Sequence, residues 1–243
     1  MGFLGRTPQR YSKWYNLSMI KVNLLVANAN DNFSSNQLDI FNQAVVAVEK
    51  FIADNFDLDY EVDVVVVSPS YLLKTIPEDG IGGRTYRSDL IVITVDTESE
   101  LSEDFFYETL CHELSHSIRW NQVSEHTVTL LDDIVLEGLA IVLEEKAMND
   151  SGRPNVQYFL KQMHAMDEQT ANDILANLKN KLNDKEYDYE KTFISGDEDL
   201  PRWAGYKLGY WLIKESLANK CTEIASATLD SYKNLKNNLK TPS

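Results

Sequence analysis

Cysteine is scarce in this chain: Cys111 and Cys221 are the two among 243 residues. Two thiols do not make a disulfide framework, so a buried core must hold the fold, and such usage suits a reducing compartment. Long apolar runs are also missing. None approaches the roughly 20 residues that span a bilayer, so no membrane partner is expected. The first 20 residues mix Arg6, Arg10 and Lys13 with aromatics and lack the continuous apolar stretch of a signal peptide. Arg6 also stands where a myristoylation motif beginning at Gly2 wants Ser or Thr. The expectation is a cytoplasmic protein. Basic residues are outnumbered, 23 Lys and Arg against 38 Asp and Glu, for a formal net charge of −15. That balance repels nucleic acid and anionic membranes, and the acidity itself reads as solubility. Internal repeats and low-complexity tracts do not occur.

What is present is an ordinary soluble composition, 43% hydrophobic and 25% charged, on a chain long enough to bury a substantial core. Ile20 to Val26 alternates as a first strand. Leu38, Phe41, Val45, Val48 and Ile52 recur at helical spacing between Gln37 and Phe56. Tyr60–Val67 and Leu90–Val95 are β-branched runs that predict strands. Ser70 to Asp89, with Pro77, Gly80, Gly82 and Gly83, reads as a long loop. Ser102 stands as an N-cap with Glu103 and Asp104 behind it. Helical patterns then follow at about 102–120, 128–149, 155–167, 171–183, 202–218 and 222–239. Strands before helices argue an α+β fold, a small N-terminal mixed sheet with an edge strand packed on a larger helical half. Gly152-Arg153-Pro154 and the acidic stretch Asp184 to Asp199 are internal breaks but not flexible linkers. The chain is therefore read as one domain over 1–243, sheet-containing over about 19–100 and helical over 101–243. Nothing in the pattern sets an oligomeric state.

The sharpest feature is His112-Glu113-Leu114-Ser115-His116. Residues four apart share one face of a helix, so His112 and His116 can present two imidazoles to one ion. Zinc accepts imidazole nitrogen and prefers four ligands. Glu113 is offset from that line and is free to take a proton from a metal-activated water. With four His in the chain, on the order of 0.005 chance matches to His-Glu-x-x-His are expected, so coincidence is a poor explanation.

A catalytic zinc wants a third protein ligand and an open position. His126, Glu137 and His164 are candidates. His126 lies ten residues past His116, near the spacing of three-histidine proteases, but Arg119 and Gln122 occupy the places where that class has glycine and its third histidine. Glu137, in Glu137-Gly138-Leu139-Ala140, sits in a strongly apolar helical run where an acid needs a partner. Gly138 costs its helix about 1 kcal/mol relative to Ala, which a close approach of a neighbouring helix would explain. Cys111 points away from His112 and reads as buried packing. His126 and His164 otherwise read as surface or locally structural residues. Arg84 and Arg87 can pair with an acid of a substrate or of the chain, and Trp203 and Trp211, eight apart, read as packing. A different reading of the same helix pair is a structural or regulatory zinc in a non-catalytic interaction module.

His112 to His116 followed by Glu137-Gly138-Leu139-Ala140 resembles a gluzincin, and more narrowly the predicted zinc-dependent proteases of unknown function in the Peptidase MA clan, with a zincin-like fold. Gly82-Gly83, the Leu90 to Asp96 strand and Gly205-Tyr206-Lys207-Leu208-Gly209-Tyr210 add weaker matches, so the resemblance spans about residues 60–218. It implies a metallopeptidase with one Zn2+ per chain and a peptide or protein substrate. His112, His116 and Glu137 would be the ligands and Glu113 the general base. The Leu90–Val95 strand would be the sheet edge on which substrate lies, giving Gly83, Ile91 and Ile93 as substrate-binding residues. Tyr206 or Tyr210 would serve the developing oxyanion. Where many gluzincins have an acid soon after the glutamate ligand, Ala140 and Ile141 stand here. Glu144, two helical turns after Glu137, is the candidate for orienting a histidine.

Overall fold

The structure, a computed structural model, describes residues 20–29, 31–70, 73–123, 125–154, 156–237 and 239. The signal-peptide and myristoylation readings of residues 1–19 lie outside these. The fold is α+β. Four strands, β1 (Lys21–Val26), β2 (Glu61–Val67), β3 (Ile81–Arg87) and β4 (Leu90–Val95), form one mixed sheet in the order β1-β2-β4-β3. β1, β2 and β4 are parallel and β3 returns antiparallel to β4.

Two expectations need correction here. Ser70 to Asp89 is not a loop throughout, because Ile81–Arg87 is a strand. Leu90–Val95 is consequently not an edge: β4 is paired on both sides, and β3 is the edge. Ile91 and Ile93 are fully buried and their backbone ladders are taken by β2 and β3, so neither can receive a substrate strand. Gly83 lies on the true edge.

Alternation makes one face of the sheet apolar. Leu24, Val64, Ile91 and Thr85 line up across all four strands, as do Val26, Val66, Ile93 and Gly83. The helices α1 (Ser35–Asn55) and α2 (Glu103–Gln122) belong to the same core, supplying among others Phe41, Val48 and Ile52, and Phe106, Leu110, Leu114 and Ile118. Ser34 caps α1 with a capping box closed by Gln37, and Ser102 caps α2 by accepting from the Phe105 N–H.

The helical half continues with α3 (Leu130–Asp150), α4 (Tyr158–His164), α5 (Glu168–Leu178), a π-helical turn at Glu190–Ser195, α6 (Ala204–Lys220), α7 (Ile224–Thr228) and α8 (Tyr232–Lys236). The single helix expected over 222–239 is two short ones, separated where Asp230 precedes the Ser231 N-cap. A second apolar cluster joins Leu130 and Ile134 of α3 to Ile174, Leu175 and Leu178 of α5, Phe193 of the π turn and Leu208 and Leu212 of α6. The contact of α3 with α6 is backbone-close: a Cβ at Gly138 would lie 2.3 Å from the Gly209 carbonyl oxygen. This is the close approach that Gly138 foreshadowed, and α6 is the helix concerned. No helix among the described residues is long and apolar enough to cross a membrane.

Candidate metal centre

α2 runs through the middle of the molecule, with its central residues buried. It brings His112 and His116 to α3, which carries Glu137 and, two turns on, Glu144. His112, His116 and Glu137 form a candidate metal site, with one ligand atom from each lying within 4.8 Å of the others. The Glu137 Oε2 atom is 3.3 Å from the Nε2 of both histidines. That spacing is long for a charge-assisted hydrogen bond, which is about 2.7–2.9 Å. It matches the separation of about 3.3 Å between two tetrahedral ligand atoms each 2.0–2.1 Å from a shared zinc. Two imidazoles and a carboxylate are also the donor set zinc accepts, so these residues fit the ion. Burial alone would raise the Glu137 carboxyl, but the His116 and His112 imidazoles outweigh it and bring it down to about 2.

Glu144 meets the other side of the same imidazole. Its Oε2 lies 2.5 Å from His112 Nδ1, so a proton on Nδ1 leaves the Nε2 lone pair toward Glu137 and His116. Burial opposes charge on His112, but the Glu144 and Glu137 carboxylates raise its pKa well above the ordinary value.

Glu113 faces β3 and lines a cavity of about 350 Å³ together with His112. The Thr85 hydroxyl donates toward Glu113 Oε2 at 2.7 Å and also lies 2.9 Å from the Glu113 carbonyl. Gly83, on the same face of β3, leaves the room Glu113 occupies: a Cβ there would sit 2.5 Å from Glu113 Cγ. The cavity is bounded further by Phe159 of α4, Glu190 and Ile194 of the π turn, Trp203 and Tyr206. Trp203, read from sequence as packing, is thus also a wall. His116 and Glu137 do not line this cavity.

The two candidate tyrosines separate. Tyr206 lines the cavity and packs edge-on against Phe159 at 5.2 Å and Phe193 at 5.3 Å. Burial, then the Glu137 carboxylate, push its phenol well above the ordinary pKa, keeping it a donor. Tyr210 does not line the cavity. Its hydroxyl donates instead to Glu145 Oε1 at 3.0 Å. His126 is exposed and His164 pairs with Glu145; neither joins the metal group. Cys111 is buried and free. Arg84 stacks over Tyr86, and Arg87 pairs with Asp89.

Sequence reasoning missed three residues here. Thr85 lay in the presumed loop. Tyr189, whose hydroxyl is 3.5 Å from that of Tyr206, lay in a presumed break. Glu108, one turn before His112 on the same face of α2, carried a usable signal, since Glu108, His112 and His116 are spaced by four. It is 1% exposed and lines the cavity. Its Oε2 accepts from the Gln157 N–H at 3.0 Å, while Oε1 has no hydrogen-bond partner among the described residues. Burial, then the Glu144 carboxylate, hold its carboxyl well above the usual range.

No curated protein and no solved structure matches the chain significantly. Residues 26–237, however, match a family described as predicted Zn-dependent protease. That stretch contains β2, β3 and β4, the candidate metal group and the cavity, and the chain therefore belongs to the DUF2268 family of predicted Zn-dependent proteases.

Proposed function

We propose that the protein is a gluzincin-type zinc metallopeptidase that hydrolyses peptide bonds of a peptide or protein substrate. The observation that carries this reading is the 3.3 Å spacing of both His Nε2 atoms from one Glu137 oxygen, beside a cavity that reaches Glu113. His112, His116 and Glu137 would hold the zinc. Bound there, the metal supplies Lewis acidity to the scissile carbonyl and to the attacking water.

The chain's own residues do the rest. Glu113 takes a proton from the attacking water and delivers it to the leaving amine. Thr85 fixes one oxygen of that carboxylate, and Gly83 leaves the space for it. Glu144 fixes the His112 tautomer, so that Nε2 keeps its lone pair. Tyr206 donates to the oxyanion as it develops. Past the bridge that Ile81 makes with Ile76, the β3 edge meets no further strand among the described residues, so an extended peptide would add there as a further strand, a role Gly83 fits and Ile91 and Ile93 do not. We read the sheet and helical halves as one domain, because Glu113 sits where they meet.

The test is Glu113→Gln. It should retain zinc at wild-type stoichiometry while losing hydrolysis of a casein or fluorogenic peptide substrate by about 10²-fold or more. Full activity in that variant rules the mechanism out.

A further inference from the structure

We infer that the cavity also contains a subsite for a positively charged group of the substrate, with Glu108 as its specificity-determining partner. The inference rests on the peptidase reading for the substrate being a peptide. Glu108 is buried yet borders the cavity, and a buried carboxyl oxygen is normally satisfied. Its Oε1 has no partner among the described residues. Protonation does not cure this, since a proton on Oε1 would then lack an acceptor. The neighbouring donor is spent: the Gln157 side-chain amide lies 2.7 Å from the Phe105 carbonyl and 2.6 Å from Thr109 Oγ1. Nor do the cavity's own cations serve it. Arg202 is held by Glu78 through both oxygens, Lys74 is exposed, and His112, which also lines the cavity, turns its ring nitrogens to Glu144 and Glu137.

The charge around this spot selects the ligand. Glu144 and Asp79 act on the same carboxyl and add negative potential, which His112 offsets only in part. An anion is excluded there. A neutral amide would satisfy Oε1 but leave the potential uncompensated, whereas an ammonium does both. The helical rise puts Glu108 about 6 Å along α2 from His112 and about 12 Å from His116. A cation a few bonds from the scissile carbonyl is within reach, either the side-chain ammonium of a lysyl residue or the free amino terminus of a short peptide.

The experiment uses the zinc-loaded protein and four hydroxamates, which anchor on the metal. They are Nα-acetyl-norleucine hydroxamate, without a cation; norleucine hydroxamate, with the α-ammonium; Nα-acetyl-lysine hydroxamate, with the ε-ammonium; and lysine hydroxamate, with both. Affinities are measured by calorimetry at one pH and ionic strength. At least one cationic probe should bind about tenfold or more tightly than the neutral one, and Glu108→Gln should bring that ratio to within about twofold. Which ammonium carries the preference identifies its source. Equal affinities for all four probes overturn the subsite, and this comparison on the wild-type protein does so even if the variant fails to fold. An unchanged preference in a folded Glu108→Gln protein overturns it as well. If none of the probes binds to protein carrying one zinc per chain, the peptidase reading itself fails and the subsite falls with it.

Discussion

Replacing Gly138 by Ala sets two physical effects against each other. Alanine is favoured over glycine inside a helix by about 1 kcal/mol, so on propensity alone α3 gains. Packing opposes this. The added Cβ would lie 2.3 Å from the Gly209 carbonyl oxygen, 2.4 Å from its carbonyl carbon and 2.9 Å from its Cα. Restoring ordinary van der Waals contact at about 3.4 Å requires the two helices to part by about 1 Å. The obstacle is helix backbone, which has no rotamer to change, so the cost falls at the upper end of the roughly 1–3 kcal/mol for overpacking, or above it. The expected net loss is about 2 kcal/mol or more, a fall in Tm of at least about 4–8 °C for a domain of this length. The site should feel more. Glu137 precedes Gly138 directly, and metal–ligand distances tolerate only about ±0.2 Å. Zinc affinity should fall about 10–100-fold. Thermal melts of metal-free and zinc-loaded protein, with a chelator-competition titration, measure both effects. A metal-free Gly138→Ala protein that melts at or above the wild type, with wild-type zinc affinity, would refute the close-contact argument.

Four further variants probe neighbouring parts of the molecule. Glu144→Gln removes the carboxylate 2.5 Å from His112 Nδ1 and should weaken zinc binding about 10–100-fold with the fold intact; unchanged affinity means Glu144 does not orient the ligand. Tyr206→Phe should lower kcat about 10²–10³-fold with little change in KM, while Tyr210→Phe should leave kcat nearly untouched; the reverse pattern would give the role to Tyr210. Burial alone would raise the Glu145 carboxyl, but hydrogen bonds with His164, Lys214 and Tyr210 bring it down to about 2. Its folded pKa is therefore depressed below the ordinary carboxylate value. The stability it contributes is fully present above that ordinary value and is lost as pH falls toward 2. Glu145→Gln should flatten the acid limb of the stability curve over that window, and an unaltered acid limb would count against this ion-pair cluster.

The parts of this site legible in the sequence are those set by local helical geometry. His112 and His116 share a face because they are four apart, and Glu137 and Glu144 share one because they are seven apart. Glu137 was singled out because an acid in an apolar run needs a partner. The strand β3 was not legible. Ile81-Gly82-Gly83-Arg84-Thr85-Tyr86-Arg87 has two adjacent glycines, poor strand formers by propensity, and no apolar alternation after them. What makes it a strand is the ladder offered by β4 and the seat that Gly83 and Thr85 find against Glu113, both long-range. Missing it also misassigned the edge, because strand order is invisible to periodicity. Tyr206 and Tyr210 show a related limit. Spacing put them on one helix face, but not at one depth along it, and the cavity reaches only the first. The opposite error was made over 222–239, where apolar periodicity ran through the break between α7 and α8, at which Ser231 caps a new helix.

The edge strand has a consequence for when the protein can act. Gly83 and Thr85 both reach Glu113 because they are two apart on a pleated strand. A slip of one residue would present Arg84 instead, replacing a spacer and a hydroxyl with a guanidinium beside the proposed base. Around Tyr86 the pairing shifts, Thr85 opposite Ile91 but Arg87 opposite Leu90, and such a bulge locks one alignment. On the proposed mechanism, the base is therefore assembled only when the outermost strand has docked in its single correct alignment. A newly made or partly unfolded chain can already carry both histidines on a formed α2 and still be harmless to the polypeptides around it. Fraying of β3 alone would free the Glu113 carboxylate from Thr85 while α2 still carries both histidines.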